Sequence, residues 1–489
     1  MMQRLITVVI PFDGVVDDVE FCLDNWGNPI RASAKDPAKR ISWALEALGV
    51  VHFMGIHVIG GDGGRHHLVF ELAVDGGPTY VFESIERECG AQVLQLMAAA
   101  NIVPTVRLSA FLEQHRVELS LGWGGVCGLG FIGTPGFSVR RIRAEAALAE
   151  LVTAWLRELA PGMPARAKLA AIRARAWGEA GLKWAFAAEP MLPERAACAV
   201  AHALRTSLGP LLRDLLWPFL MLPGVCAVLA AVFSGPWSAA AATLVTVALE
   251  GLIGAWLYRR LRAREHTDAE DHQPQSAELR EQLQQFEAKT SQRQSLVLAA
   301  LKPGVLRRLT LRFALFAVRQ AALEVFAPGR PAHIGTVHFA HWLVLPGTSQ
   351  LLFSSNHDGT WESQLDDCVD KAPAALTGIW SNTEGFPRAR KLFELGATNR
   401  AQFKTWACRR QLPARYWYCA YPELTATRIR IHAEIRHGIA TARGDADIAR
   451  WLGCFGAARA CNEADNHEAL MLGGRQRASA APRGAAALR

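Results

Sequence analysis

The densest run of side chains able to do chemistry lies between His338 and Tyr421. His338-Phe339-Ala340-His341-Trp342 reads as a strand, and a period of two places His338 and Trp342 on one face and His341 on the other. A histidine there can act as acid or base, ligate haem iron, or be a hydrogen-bonded residue of a sheet surface. Asn356-His357-Asp358-Gly359-Thr360-Trp361-Glu362 joins a strand to a helix, with Asp358 or Thr360 as N-cap. Glu362, Asp366 and Asp370 then recur on one helical face, where like charges repel, so solvent, Arg/Lys partners or a cation must compensate. Trp380-Ser381-Asn382-Thr383 and Arg388 and Arg390 follow. Arg415-Tyr416-Trp417-Tyr418-Cys419-Ala420-Tyr421-Pro422 is an aromatic strand with three of the chain's 5 tyrosines, close in sequence to arginine. That mixture suits an amphipathic ligand with an acidic head, a haem with propionates, or a sheet packed on its partner. The catalytic candidates are His338, His357, Asp358 and Arg388, and the ligand-binding candidates are Trp361, Glu362, Asn382 and Tyr418.

No metal set is expected. His432 and His437 do not share a helix face, and the 10 cysteines contain no CxxC pair. Free thiols in a reducing cytosol explain them. Gly128-Leu129-Gly130-Phe131-Ile132-Gly133 fits GxGxxG, but Pro135-Gly136 interrupts the turn before a helix can open on a phosphate. A Gly-rich strand or close-packed bend is the alternative to a dinucleotide site.

Elements that position these residues follow from periodicity. Leu5 to Phe12 reads as a strand, Val15 to Trp26 and Pro37 to Leu48 as helices, Val51 to Ile59 and His67 to Val74 as a strand pair around a Gly-rich loop at Gly60 to Gly64. Phe82 to Ala100 is a helix, and a strand precedes Gly133. The order β-α-β-β-α-β is that of a ferredoxin-like sandwich. Landmarks repeat later: Val51-His52-Phe53 as Val337-His338-Phe339, Asp75-Gly76 as Asp358-Gly359, Phe82-Glu83-Ser84 as Trp361-Glu362-Ser363, and Thr134-Pro135-Gly136-Phe137 as Thr383-Glu384-Gly385-Phe386. Two related units that associate sheet to sheet are expected. The recurrence of His52 favours a packing role for His338.

Between the units, Leu215 to Leu249 carries no charge, and Glu250 is the one charged residue before Arg259. As one helix it would be about 50 Å long against about 30 Å of hydrocarbon, so two short spans fit better. Ser234-Gly235-Pro236 is the turn. Arg205 and Arg213 precede the run and Arg259, Arg260, Arg262 and Arg264 follow it, which predicts two spans with both termini cytoplasmic. A buried soluble hairpin and a re-entrant loop kinked at Pro218 and Pro223 are the alternatives. Arg166 to Phe186 and Val305 to Phe326 are basic and amphipathic, suited to the membrane interface or to packing on the units. Ser276 to Leu301 reads as a helix, and the tail from Gly473 as disordered. The expected fold class is α+β, two ferredoxin-like units joined through a transmembrane helical hairpin. Its segments are 1–150, a first unit; 151–214, a basic connector; 215–257, the hairpin; 258–330, a polar linker with amphipathic helices; 331–472, a second unit; and 473–489, the tail.

The second unit, through His338-Phe339-Ala340, Ser355-Asn356-His357-Asp358-Gly359-Thr360-Trp361-Glu362-Ser363, Trp380-Ser381-Asn382-Thr383-Glu384-Gly385-Phe386-Pro387 and Tyr418-Cys419-Ala420-Tyr421-Pro422, resembles a poorly characterised family of bacterial membrane proteins. The fold pattern is similar, more distantly, to the ferredoxin-like barrels of dye-decolourising peroxidases and chlorite dismutases. That likeness implies haem as a cofactor and a peroxidase-like reaction. The residues themselves point to a membrane-anchored protein that binds an amphipathic or lipid-derived ligand at the cytoplasmic surface. The net charge of +8 is accounted for by the arginine-rich flanks, and no nucleic acid is expected as partner.

Overall fold

Gln3–Phe12 (β1) is rich in β-branched residues and buried on both faces, the mark of a strand covered from both sides. The computed structural model describes residues 3–26, 38–60, 65–120, 126–187, 217–273, 275–286, 291–324 and 334–456. After β1 come Val16–Trp26 (α1), Ala38–Leu48 (α2), Val51–Gly60 (β2), His66–Asp75 (β3), Pro78–Ala99 (α3), Leu108–Gln114 (α4), Arg116–Val117 (β4), Leu119–Ser120 (β5) and Val126–Ile132 (β6). Val139–Glu158 (α5) and Ala165–Gly178 (α6) lead to Trp217–Ser234 (α7) and Pro236–Thr267 (α8). The second half holds Ala277–Phe286 (α9), Gln292–Ala300 (β7), Val305–Glu324 (α10), Val337–Val344 (β8), Gln350–Asp358 (β9), Trp361–Lys371 (α11) and Pro373–Trp380 (α12). Ala389–Arg390 (β10), Glu394–Leu395 (β11), Arg400–Arg409 (α13), Gln411–Leu412 (β12), Tyr416–Cys419 (β13) and Ala426–Thr441 (α14) complete it.

Two large sheets organise these elements, beside the short β10–β11 pair. One runs β13-β2-β3-β1-β4 and the other β12-β7-β9-β8-β6-β5. The two orders are the same when β1, β2, β3, β4 and β6 are matched with β7, β8, β9, β12 and β13. The duplication is therefore real in the backbone, but the units are not independent. β6 of the first half pairs antiparallel with β8, and β13 of the second half pairs antiparallel with β2. Each half gives its last strand to the sheet of the other, so the boundaries at 150 and 331 do not separate two closed units.

Each sheet packs its outer face on helices. Ile6, Val8 and Phe70 meet residues of α1, α2 and α3 in one core; Val297, Leu351 and Phe353 meet residues of α10 to α13 in another. The inner faces meet each other through Val9, Ile59, Val69, Leu296, Leu343 and Leu352. A further helical core joins α5, α6 and α14 through Val152, Ile172 and Ile439.

Several expectations are corrected here. Ser276 to Leu301 is not one helix: α9 ends at Phe286, and β7 occupies Gln292–Ala300 at the centre of the second sheet's pairing with β9. Its polar start, Gln292-Arg293-Gln294-Ser295, is buried or half-buried, which a solvent-exposed amphipathic pattern does not anticipate. Of the two alternatives for 166–186 and for 305–324, packing is seen for their apolar faces: Leu169 and Ile172 are buried in the helical core, and Leu311 and Leu315 on the second sheet. The glycines of the GxGxxG run lie on or just beyond β6. A Cβ at Gly128 would stand 2.6 Å from the Trp342 carbonyl oxygen, so the run serves close strand approach. The loop residues 61–64, Arg205, Arg213 and the tail fall outside the described residues.

The apolar hairpin consists of α7 and α8 around Gly235, whose φ of +89° suits glycine. Pro236 opens α8 at its first turn. α8 is long and apolar enough to cross a membrane, and none of its apolar stretch is buried within the protein. α7 contributes the shorter apolar helix Met221–Ser234.

Candidate functional site between the two sheets

The strand exchange brings the two copies of the His-Phe dipeptide together. A bulge between Val51 and Phe53 and its counterpart between Val337 and Phe339 interrupt strand alternation at the same place in each half. The rings of His52 and Phe339 stand 5.2 Å apart, those of Phe53 and His338 5.5 Å, and those of Phe53 and Phe339 5.8 Å. The bulge also overturns the simple alternation expected of His338 and His341. His341 faces the first sheet, whereas Trp342 packs on Phe353 in the second sheet's own layer.

Each histidine is held by an aspartate, and each aspartate by a helix. His52 Nε2 lies 3.1 Å from Asp75 Oδ1, while Asp75 Oδ2 accepts the Val139 N–H at 2.8 Å at the start of α5. His338 Nε2 lies 2.7 Å from Asp358 Oδ1, and Asp358 Oδ2 accepts the Ala426 N–H at 2.8 Å at the start of α14. A carboxylate is well placed there, because the first N–H groups of a helix lack intrahelical acceptors. Gln3 and Gln292 stand opposite these aspartates in register. Gln3 Nε2 donates to the Phe137 carbonyl at 2.6 Å; Gln292 Nε2 donates to the carbonyls of Tyr421 and Leu424. Asp358 is thus no N-cap of α11; Thr360 is, accepting the Ser363 N–H.

This symmetry corrects one landmark. The Gly133 N–H donates to the His338 carbonyl, and the Ala420 N–H donates to the His52 carbonyl. Thr134-Pro135 therefore matches Tyr421-Pro422, not Thr383-Glu384. The exchange of threonine for tyrosine matters. The Tyr421 hydroxyl lies 2.8 Å from His52 Nδ1, whereas Thr134 Oγ1 and His338 Nδ1 have no hydrogen-bond partner among the described residues. Burial pushes His52 below its ordinary pKa against the pull of Asp75, with His338 adding to the lowering. Tyr421→Phe is expected to cost about 1–3 kcal/mol by leaving a buried ring nitrogen unpaired. Thr134→Val, which removes an unpartnered hydroxyl, should cost far less; urea titrations of the two full-length variants decide.

A second polar cluster spans the sheets. Glu71, on β3, is buried, and His341 Nε2 of the other sheet approaches its Oε1 at 3.0 Å. His57 Nε2 lies 3.6 Å from Oε2, and Gln294 Nε2 donates to Oε2 at 3.2 Å. Thr7 Oγ1 stands 3.4 Å from His341 Nε2. Burial raises the Glu71 pKa, but the charge and hydrogen bonds of His341 and His57 outweigh it and hold the carboxyl well below its usual range. His57 Nδ1 and Gln294 Oε1 remain without partners among the described residues. Buried charge of this kind concentrates at functional sites as well as in structural networks.

A cleft also opens beside β1 and β6. A cleft of about 270 Å³ is lined by Arg4, Leu5, Ile6, Pro78, Arg116, Leu119, Gly130 and Ile132. Leu5 and Thr7 lie two apart on β1, on one face, and Gly130 is the register partner of His341. Of its two arginines, Arg4 is exposed and Arg116 half-buried. Arg116 is paired with Glu113 and Glu118 at 2.7 Å each, whereas Arg4 has no acidic partner among the described residues.

The residues singled out in the sequence divide between roles. His338 and Asp358 meet as described. His357 is fully buried on the other face of β9, its ring 6.4 Å from Trp361. Arg388 is exposed and bound to the linker after α8, through the Asp268 carbonyl at 3.2 Å. It is not part of the His338–Asp358 pair. Asn382 is consumed by Thr310 and by the Gly378 carbonyl, Trp361 is core, Tyr418 is buried with its pKa raised by burial, and Glu362 is exposed. The acidic face of α11 is compensated by basic residues: Lys404 pairs with Asp366 at 2.7 Å, and Arg400 with Asp366 and Asp370. Among the described residues no group of His, Cys, Asp or Glu is arranged to hold a metal ion. A haem does not fit on His338 either: its ring is 0 % exposed and enclosed by Phe53, Tyr421 and Asp358.

Glu71, His57 and Arg4 were not selected from sequence, and His341 was weighed beside His338 but not kept among the candidates. The available signal was a lone charged residue inside an apolar strand, as in His67-Leu68-Val69-Phe70-Glu71-Leu72-Ala73-Val74. No family model, curated protein or solved structure matches this chain.

Proposed function

We propose that the chain is a multi-pass membrane protein, with two spans and both termini cytoplasmic, that binds a small amphipathic anion in the cleft between β1 and β6. The observation that carries the reading is the lining of that cleft: Arg4 at the mouth, with Leu5, Ile6, Leu119 and Ile132 around it. A carboxylate or phosphate head would sit on Arg4, and a short apolar chain would replace water along the aliphatic residues. The size of about 270 Å³ suits a medium-length acyl chain better than a whole diacyl lipid. The membrane reading is supported by α8, by the apolar α7 beside it, and by Arg259, Arg260, Arg262 and Arg264 following the apolar stretch.

The test uses the full chain in neutral-lipid nanodiscs and equilibrium dialysis with octanoate and octanol. Octanoate should bind saturably and more tightly than octanol, and Arg4→Glu should weaken it roughly tenfold, the size of one lost charge-assisted contact. Linear partitioning, equal for acid and alcohol and unchanged by Arg4→Glu, would remove the proposal.

A further inference from the structure

We infer that the second unit rests one face on an anionic lipid leaflet at the root of α8; this depends on the membrane reading of the hairpin. The root is clamped to the unit from within. Glu265 is buried and accepts the Lys391 and Leu392 N–H groups at 3.0 and 2.6 Å, two residues with positive φ. Asp268 binds Lys302 at 2.7 Å and Arg307 at 2.6 Å, and Asp271 binds Arg409 at 2.6 Å. The acids of the root are therefore spent on internal pairs, and the helix cannot swing freely against the unit.

What the clamp brings beside the apolar hairpin is a basic and apolar surface. Arg264 approaches Gly304, immediately before α10, whose exposed Val305 and Arg308 share one side at i and i+3. Exposed Phe313 packs on Phe393 with rings 6.2 Å apart, and Phe393 belongs to the same short hairpin as Lys391 and exposed Leu395. Apolar side chains flanked by Arg264, Arg308, Arg390 and Lys391, with one acid, Glu394, shared between Arg390 at 2.7 Å and Lys391 at 3.4 Å, leave a net basic surface at the root of α8 that matches the acyl boundary and anionic head groups of a leaflet. The basic charge selects an anionic lipid surface over a neutral one.

The experiment places an environment-sensitive fluorescent amino acid singly at Val305, Leu395, Leu244 of α8, or Phe21 of α1, in the full chain in nanodiscs with a doxyl-lipid quencher. With phosphatidylglycerol present, positions 305 and 395 should be quenched roughly twofold more than position 21. Arg308→Glu with Lys391→Glu should abolish that excess without changing quenching at 244. Quenching at 244 with none in excess at 305 and 395 overturns this inference and leaves the hairpin reading standing. Equal quenching at 305 and 395 in phosphatidylcholine alone, indifferent to the charge reversals, overturns the anionic selection. Absence of quenching at 244 overturns the hairpin reading and this inference together.

Discussion

Asp358→Ala should destabilise the protein by about 3–5 kcal/mol, the cost of breaking a buried polar pair and leaving its partner behind. Asp358 holds His338 with one oxygen and the first turn of α14 with the other. α14 in turn packs on α5, where Arg436 meets the buried Glu145 at 3.1 Å, so the loss spreads to the opposite half. Asp75→Ala should cost at least as much, because Asp75 occupies the same place and its side chain is 2 % exposed against 10 % for Asp358. Asp358→Asn keeps an acceptor for the helix and should fall between wild type and Asp358→Ala. Urea unfolding of the full chain measures all three. If Asp358 served a reaction and not the fold, its removal would leave stability unchanged or raise it, as commonly happens when a strained functional residue is replaced.

Acidification should destabilise the protein well before ordinary carboxylates titrate. Burial pushes His357 down to about 3 and His432 to about 4, from an ordinary value of 6.5. Both are bases with folded pKa values below their unfolded ones. Between the two values the unfolded chain binds more protons, so stability falls as the pH falls. The contribution is intact above 6.5 and is lost down to about 3 for His357 and about 4 for His432. From about pH 7.5 to about pH 5, each should cost on the order of 2 kcal/mol. His357→Phe, an apolar ring beside Trp361, should remove its own share of that slope. Glu71 does not add to the loss in this range, since its folded pKa lies below the usual carboxylate value. An unfolding free energy flat from pH 7.5 to 5 in wild type would show that His357 is not buried as described.

Local structure was largely legible. Strand and helix positions in the first half follow from periodicity, and Val51-His52-Phe53 and Asp75-Gly76 located the repeat because bulge, pair and turn demand the same residue types twice. The Gly76 and Gly359 φ values of +107° and +77° show why glycine follows each aspartate. Strand partnership was not legible. Nothing in the alternation of β6 or β13 says whose edge it joins, since an edge offers the same backbone groups to either sheet. β7 was hidden because Gln292, Arg293 and Gln294 look solvent-facing until a polar interior between two sheets is known. Arg388 was grouped with His338 on composition, yet its place is fixed by the linker after α8, a contact no local pattern encodes.

Whether an amphipathic anion is held between β1 and β6 is decided by locating one. The full chain in nanodiscs, or crystals of it, soaked with 8-bromooctanoate, would be imaged for the bromine and the carboxylate. The carboxylate is expected on Arg4 and the chain along Leu5, Leu119 and Ile132, with both absent from Arg4→Glu. Density confined to the lipid around α7 and α8, with the cleft holding water alone, would contradict it.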